Sequence, residues 1–90
     1  MGRQLVDQHL AACVNILPSM TAIYRWEGKI EQDREAVMII KTRAGLADAV
    51  IAAVEAGHPY TTPALLVIPM QGGAGAYLDW LLTQTSAAPK

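Results

Sequence analysis

Two β-leaning runs flank Glu27-Gly28-Lys29 and commit residues 13–41, about a third of the chain, to one long antiparallel hairpin. Gly28 takes a positive φ without steric cost, so the three residues read as a tight turn. Ahead of the turn, Cys13-Val14-Asn15-Ile16-Leu17 leans to strand and Pro18-Ser19 interrupts it as an edge or bulge. Residues 21–26 resume the strand, with Ala22, Tyr24 and Trp26 on one face. Beyond the turn, residues 30–41 begin by alternating: Glu31, Asp33 and Glu35 on one face, Ile30, Gln32 and Arg34 on the other. The second half, Ala36-Val37-Met38-Ile39-Ile40, is apolar on both faces, the pattern of a fully buried strand. The hairpin therefore has an apolar base and a polar arm projecting beyond it. Unpaired backbone along such an arm calls for a covering partner, and a second subunit is the natural one.

Helical periodicity fills much of the remainder. Residues 3–11 read as a helix, with Leu5 and His9 on one stripe and Val6 and Leu10 on the next. Residues 44–57 carry Leu46, Val50 and Val54 in a stripe, with Gly57 as C-cap. His58-Pro59-Tyr60-Thr61-Thr62-Pro63 reads as a rigid connection, its two prolines fixing φ. Leu65-Leu66-Val67-Ile68 reads as a buried strand closed by Pro69, Gln71-Gly72-Gly73-Ala74-Gly75 as a loop, 76–83 as a last short helix, and 84–90 as a flexible tail. The order helix, strand, strand, helix, strand, helix is an α+β ferredoxin-like sandwich, βαββαβ without its first strand. A helix at residue 3 with no strand ahead of it leaves a slot in the sheet.

Ninety residues bury one core, so 1–90 is a single domain. There is no Phe and the aromatic share is 6%, which makes that core aliphatic and thin for an isolated monomer. The formal net charge is −1, with Lys and Arg scattered singly, so no basic face exists to meet nucleic-acid phosphates. No apolar run approaches the roughly 20 residues of a membrane span. Met1-Gly2-Arg3-Gln4 is too polar to open a signal peptide, and a lone cysteine makes no internal disulfide. A cytoplasmic location fits both observations.

Several segments are now in place: Leu10-Ala11-Ala12-Cys13-Val14-Asn15-Ile16, Ile23-Tyr24-Arg25-Trp26-Glu27-Gly28-Lys29-Ile30, Ile39-Ile40-Lys41-Thr42, His58-Pro59-Tyr60 with Pro63, and Tyr77-Leu78-Asp79-Trp80. In order and spacing they resemble the CutA family of divalent-cation tolerance proteins along almost the whole chain. The resemblance implies a ferredoxin-like subunit of a compact homotrimer, its long hairpin paired with neighbouring subunits. It also implies a part in tolerance of, or response to, copper and other divalent metals by binding, without an enzymatic reaction. Family members open with a strand ahead of the first helix, so the chain reads as one whose first strand is left out, by truncation or a displaced start. The family often has an acidic residue after the positions of Tyr60 or Pro63, where this chain has Thr61 and Ala64. Copper binding proposed in relatives uses a first-strand cysteine and a histidine pair before the proline. Here that pair reads Gly57-His58, and only His58 is kept.

Copper or a related divalent ion needs three or four imidazole or thiolate donors, and the donors available are His9, Cys13 and His58. His9 and Cys13 share a face only if the helix reaches Cys13, and the β-leaning run from Cys13 argues that it does not. Cys13 then reads first as a small buried hydrophobe and His9 as a solvated helix residue. His58 is the leading metal candidate and Cys13 the second. The competing role for His58 is to bond the last carbonyls of the helix before it. A site between subunits would multiply the donors. No nucleophile has a base beside it, and Gly72-Gly73-Ala74-Gly75 lacks the Lys-Ser/Thr of a phosphate loop, so the chain reads as a binding protein. Two further readings stand beside metal tolerance: a trimer binding small anionic ligands in clefts near Lys41, Tyr60 and Trp80, and a purely structural oligomer. Tyr24, Trp26, Glu31 and Asp33 are the candidates for the trimer interface, with Trp26 as its aromatic anchor.

Overall fold

Antiparallel pairing runs from Cys13↔Lys41 to Trp26↔Lys29 and joins β1 (Cys13–Trp26) to β2 (Lys29–Lys41). The computed structural model describes residues 1–57 and 64–86, and adds α1 (Gly2–Asp7), a 3-10 turn (Ala44–Leu46), α2 (Ala47–Gly57) and α3 (Gly75–Ser86). Fourteen residues at about 3.3 Å each give β1 a span near 45 Å, which matches the 45 Å long axis of the molecule. Glu27 and Gly28 both take positive φ, 50° and 81°, the two-residue turn whose twist suits a right-handed hairpin.

Pro18-Ser19 is the bulge that the sequence announces. Between Leu17↔Val37 and Met20↔Glu35, β1 carries Pro18 and Ser19 where β2 carries only Ala36. The extra residue changes the parity of β1. Cys13, Asn15 and Leu17 therefore share a face with Met20, Ala22, Tyr24 and Trp26, opposite Lys41, Ile39, Val37, Glu35, Asp33, Glu31 and Lys29. On the other face Arg34 reaches the bulge and donates to Ser19 Oγ at 2.8 Å.

The core sits at the hairpin base. Leu5, Ala11, Val50 and Val54 are buried together, and Leu10, Val14, Ile40, Ala53 and Leu65 pack against them. Gly2 lets α1 lie close to β1, since a Cβ there would stand 3.1 Å from Val14 Cγ1. Thr42 Oγ1 donates to the Leu10 carbonyl at 2.6 Å, and Ala12 N–H donates to the Lys41 carbonyl at 2.8 Å. These two bonds tie the exit of α1 to the end of β2.

Several expectations are corrected. The first helix ends at Asp7 rather than at 11, because His9 takes φ 60° and closes a left-handed cap. Leu10 N–H bonds the Leu5 carbonyl and His9 N–H the Val6 carbonyl, the paired bonds of a Schellman motif. Helical periodicity from 44 resolves into the 3-10 turn and α2, whose buried residues are Val50 and Val54. Residues 65–68 form no strand: Leu66 is 87% exposed and Ile68 84%. Strand geometry needs a hydrogen-bonded neighbour, and among the described residues the sheet has only β1 and β2. For the same reason the apolar half of β2 is not buried on both sides, with Met38 and Ile39 exposed. The last helix continues to Ser86, past the expected end at 83, and Thr85 within it is buried.

Candidate functional site

α3 supplies one wall of the candidate site, and polar anchors hold it in place. Arg43, just beyond β2, donates through Nε to Thr85 Oγ1 at 2.9 Å and through a terminal nitrogen to the Leu82 carbonyl at 2.6 Å. His9 Nδ1–H donates to the Gln84 carbonyl at 2.9 Å, so this histidine is exposed as expected but lies beyond the helix, as a clasp between the α1 exit and α3. Leu81, on the same helix, is 2% exposed.

With α3 so held, Lys41 at the end of β2 meets its outer face. The Lys41 Nζ lies 5.6 Å from the Tyr77 ring centroid, within cation–π range. The Tyr77 and Trp80 rings lie 5.6 Å apart and tilted by 36°, as residues three apart on one helix face allow. Cys13 pairs with Lys41 across the ladder, and its thiol lies 3.7 Å from Asn15 Oδ1 as a weak donor. Lys41 and Trp80, two of the three expected cleft residues, are thus brought together; Tyr60, the third, lies outside the described residues. Tyr77 joins them here, and its signal in the sequence is the Tyr77/Trp80 spacing on one helical face.

Among the described residues the metal candidates do not gather in one protomer. Cys13 is half-buried and bonded to Asn15, His9 is engaged with α3, and His58 lies outside the described residues. Among the described residues no three His, Cys, Asp or Glu side chains stand together as a metal site would require. No helix among them is long and apolar enough to cross a membrane.

The four interface candidates share the arm. Tyr24 and Trp26 are exposed on β1, and Asp33 and Glu31 lie on the same face of β2, Glu31 half-buried. The Tyr24 hydroxyl donates to Asp33 Oδ2 at 2.5 Å. That bond, followed by partial desolvation and the negative charges of Asp33, Glu31 and Glu35, pushes the phenol up to about 12, because each of these opposes the phenolate. Ile23 and Ile30 on the opposite face are also open, at 67% and 69%.

Comparison with known proteins gives one consistent answer. The family model described as CutA1 divalent ion tolerance protein matches residues 1–84. The divalent-cation tolerance protein CutA of Thermus thermophilus is 41% identical over 85 residues, covering 94% of this chain and 82% of that protein. The chloroplastic protein CutA of Arabidopsis thaliana is also 41% identical over 85 residues, but this chain spans only 47% of its length. The solved structure of the Thermus protein superposes with a TM-score of 0.88 at 42% identity, covering 93% of this chain and 82% of that one.

Proposed function

We propose, given that this chain belongs to the CutA1 divalent ion tolerance family, that it is the subunit of a homotrimer serving tolerance of, or response to, divalent metal ions. Copper is the first candidate, and the ion is bound rather than chemically transformed. The observation that carries the reading is the 41% identity to a divalent-cation tolerance protein over 82% of that protein's length. The protomer's fold is read as ferredoxin-like, which the seating of α1 and α2 around one face of the hairpin base supports. Trimer assembly is supported by the arm, where Trp26, Ile23 and Ile30 stand in solvent with little of their own protomer to cover them. Leaving them there forfeits about 25 cal/mol per Å² of apolar surface.

Since the described donors do not assemble within one protomer, the proposed ligands are His58, with Cys13 second, drawn from more than one copy. Calorimetric titration with copper, run beside light scattering, tests both halves. Scattering should give about three times the 9.7 kDa protomer mass. His58→Ala should weaken copper at least tenfold, about 1.4 kcal/mol, and Cys13→Ala should weaken it less. Unchanged affinity in His58→Ala removes the histidine from the site, and a clean monomer removes the trimer.

A further inference from the structure

We infer that Lys41, Tyr77 and Trp80 form a binding face for a small organic anion with a flat ring, such as an aromatic carboxylate. The inference stands apart from the metal reading and uses none of its ligands in a metal role. Among the described residues Lys41 has the Tyr77 ring, and no carboxylate, as its partner. The acids of its own sheet face begin at Glu35, six residues back along β2 and about 20 Å away, beyond the ~8 Å screening length of physiological salt. Asp79, the acid on α3, falls on the opposite side of that helix from Tyr77 at 100° per residue. Among the described residues the ammonium is therefore an uncompensated charge over the Tyr77 ring, with the Trp80 ring next to that one.

Those rings are open. Tyr77 is 41% and Trp80 42% exposed, so both rings keep surface within reach of a ligand. An aromatic carboxylate meets both features at once, with its carboxylate on the Lys41 ammonium and its ring against the Tyr77–Trp80 pair. Asn15 stands on the same sheet face, two pairs along the ladder from Cys13↔Lys41. Its carbonyl oxygen takes the Cys13 thiol, which turns its amide N–H groups into available donors for a second carboxylate oxygen. An uncharged ring would use only half of this arrangement, and a simple anion the other half.

The test follows the Trp80 indole N–H resonance, told from that of Trp26 by a Trp26→Phe control, in full-length protein with EDTA present. Benzoate, acetate and benzyl alcohol are titrated in turn. Benzoate should move the Trp80 signal saturably and bind at least tenfold more tightly than either of the others. Lys41→Met should lose at least tenfold in benzoate affinity while benzyl alcohol is unaffected, and Lys41→Arg should restore most of the loss. Benzyl alcohol binding as tightly as benzoate would overturn the inference, as would full benzoate affinity in a folded Lys41→Met. Should Lys41→Met fail to fold, Trp80→Leu decides, with benzoate binding read by calorimetry in place of the lost indole signal: a tenfold loss supports the face, and retained affinity overturns it.

Discussion

The base and the arm of the hairpin are made by the same two strands, yet their side chains meet opposite surroundings. At the base, Val14 and Ile40 face each other across the ladder and lean on Leu5, Val50 and Val54. Along the arm the equally apolar Ile23, Ile30 and Trp26 are more than half exposed. Backbone pairing continues through both, so hydrogen bonding does not set them apart. What differs is whether a helix lies against the sheet face. Apolar side chains gain free energy only from the area they remove from water, so the base stabilises the protomer while the arm stores contact surface for another molecule.

Truncating one residue of each region measures the contrast most directly. Leu5 is 2% exposed in the core, and Leu5→Ala should cost about 2–5 kcal/mol in urea unfolding, through lost transfer free energy and a residual cavity. Ile23→Ala, on the arm, should stay within about 0.5 kcal/mol for the dissociated protomer at low concentration, as open surface positions do. An Ile23→Ala loss approaching that of Leu5→Ala would mean that the arm is packed in solution and that the two regions are not opposites.

Trp26→Ala sharpens the same contrast by asking where the arm's apolar surface is used. Interface anchors of this type cost 2 kcal/mol or more on truncation, roughly thirtyfold in affinity. Sedimentation should show weakened association at low concentration, while circular dichroism keeps the protomer's secondary structure. A Trp26→Ala protein that associates as tightly as the parent would place the indole outside any interface.

How much of this was legible in the sequence follows from how local each cause is. The turn at Glu27-Gly28 and the bulge at Pro18-Ser19 are written in residues that constrain their own backbone, and both stand where the sequence puts them. The end of α1 was not legible, because His9 takes a left-handed conformation that glycine usually occupies. Residues 65–68 have a strand's composition but no strand's neighbour, and composition cannot supply a hydrogen-bonding partner. At the candidate site, Lys41 and Trp80 are legible together as cleft residues; Tyr77 joins them through the placement of α3, which depends on Arg43 reaching across 42 residues to Thr85. Such long-range polar contacts leave no periodic trace.

The smallest expected effect is a titration on the arm itself. Tyr24 donates to Asp33, loses some solvation and feels the charges of Asp33, Glu31 and Glu35, which together raise its phenol from 10.0 to about 12. A folded value above the unfolded one means that the neutral phenol is favoured by folding. Its contribution is complete below pH 10 and is lost as pH rises from 10 towards 12; for so exposed a side chain the stability change is small, and the titration is the better readout. Phenolate absorbance, taken as the difference between the parent and Tyr24→Phe, should show a midpoint near 12. Asp33→Asn removes the carboxylate that accepts the bond and should bring that midpoint back towards 10. Were the midpoint to stay high in Asp33→Asn, the cause would be burial of the phenol against another subunit. The arm would then be covered rather than open, and the contrast between base and arm would hold only for the isolated protomer.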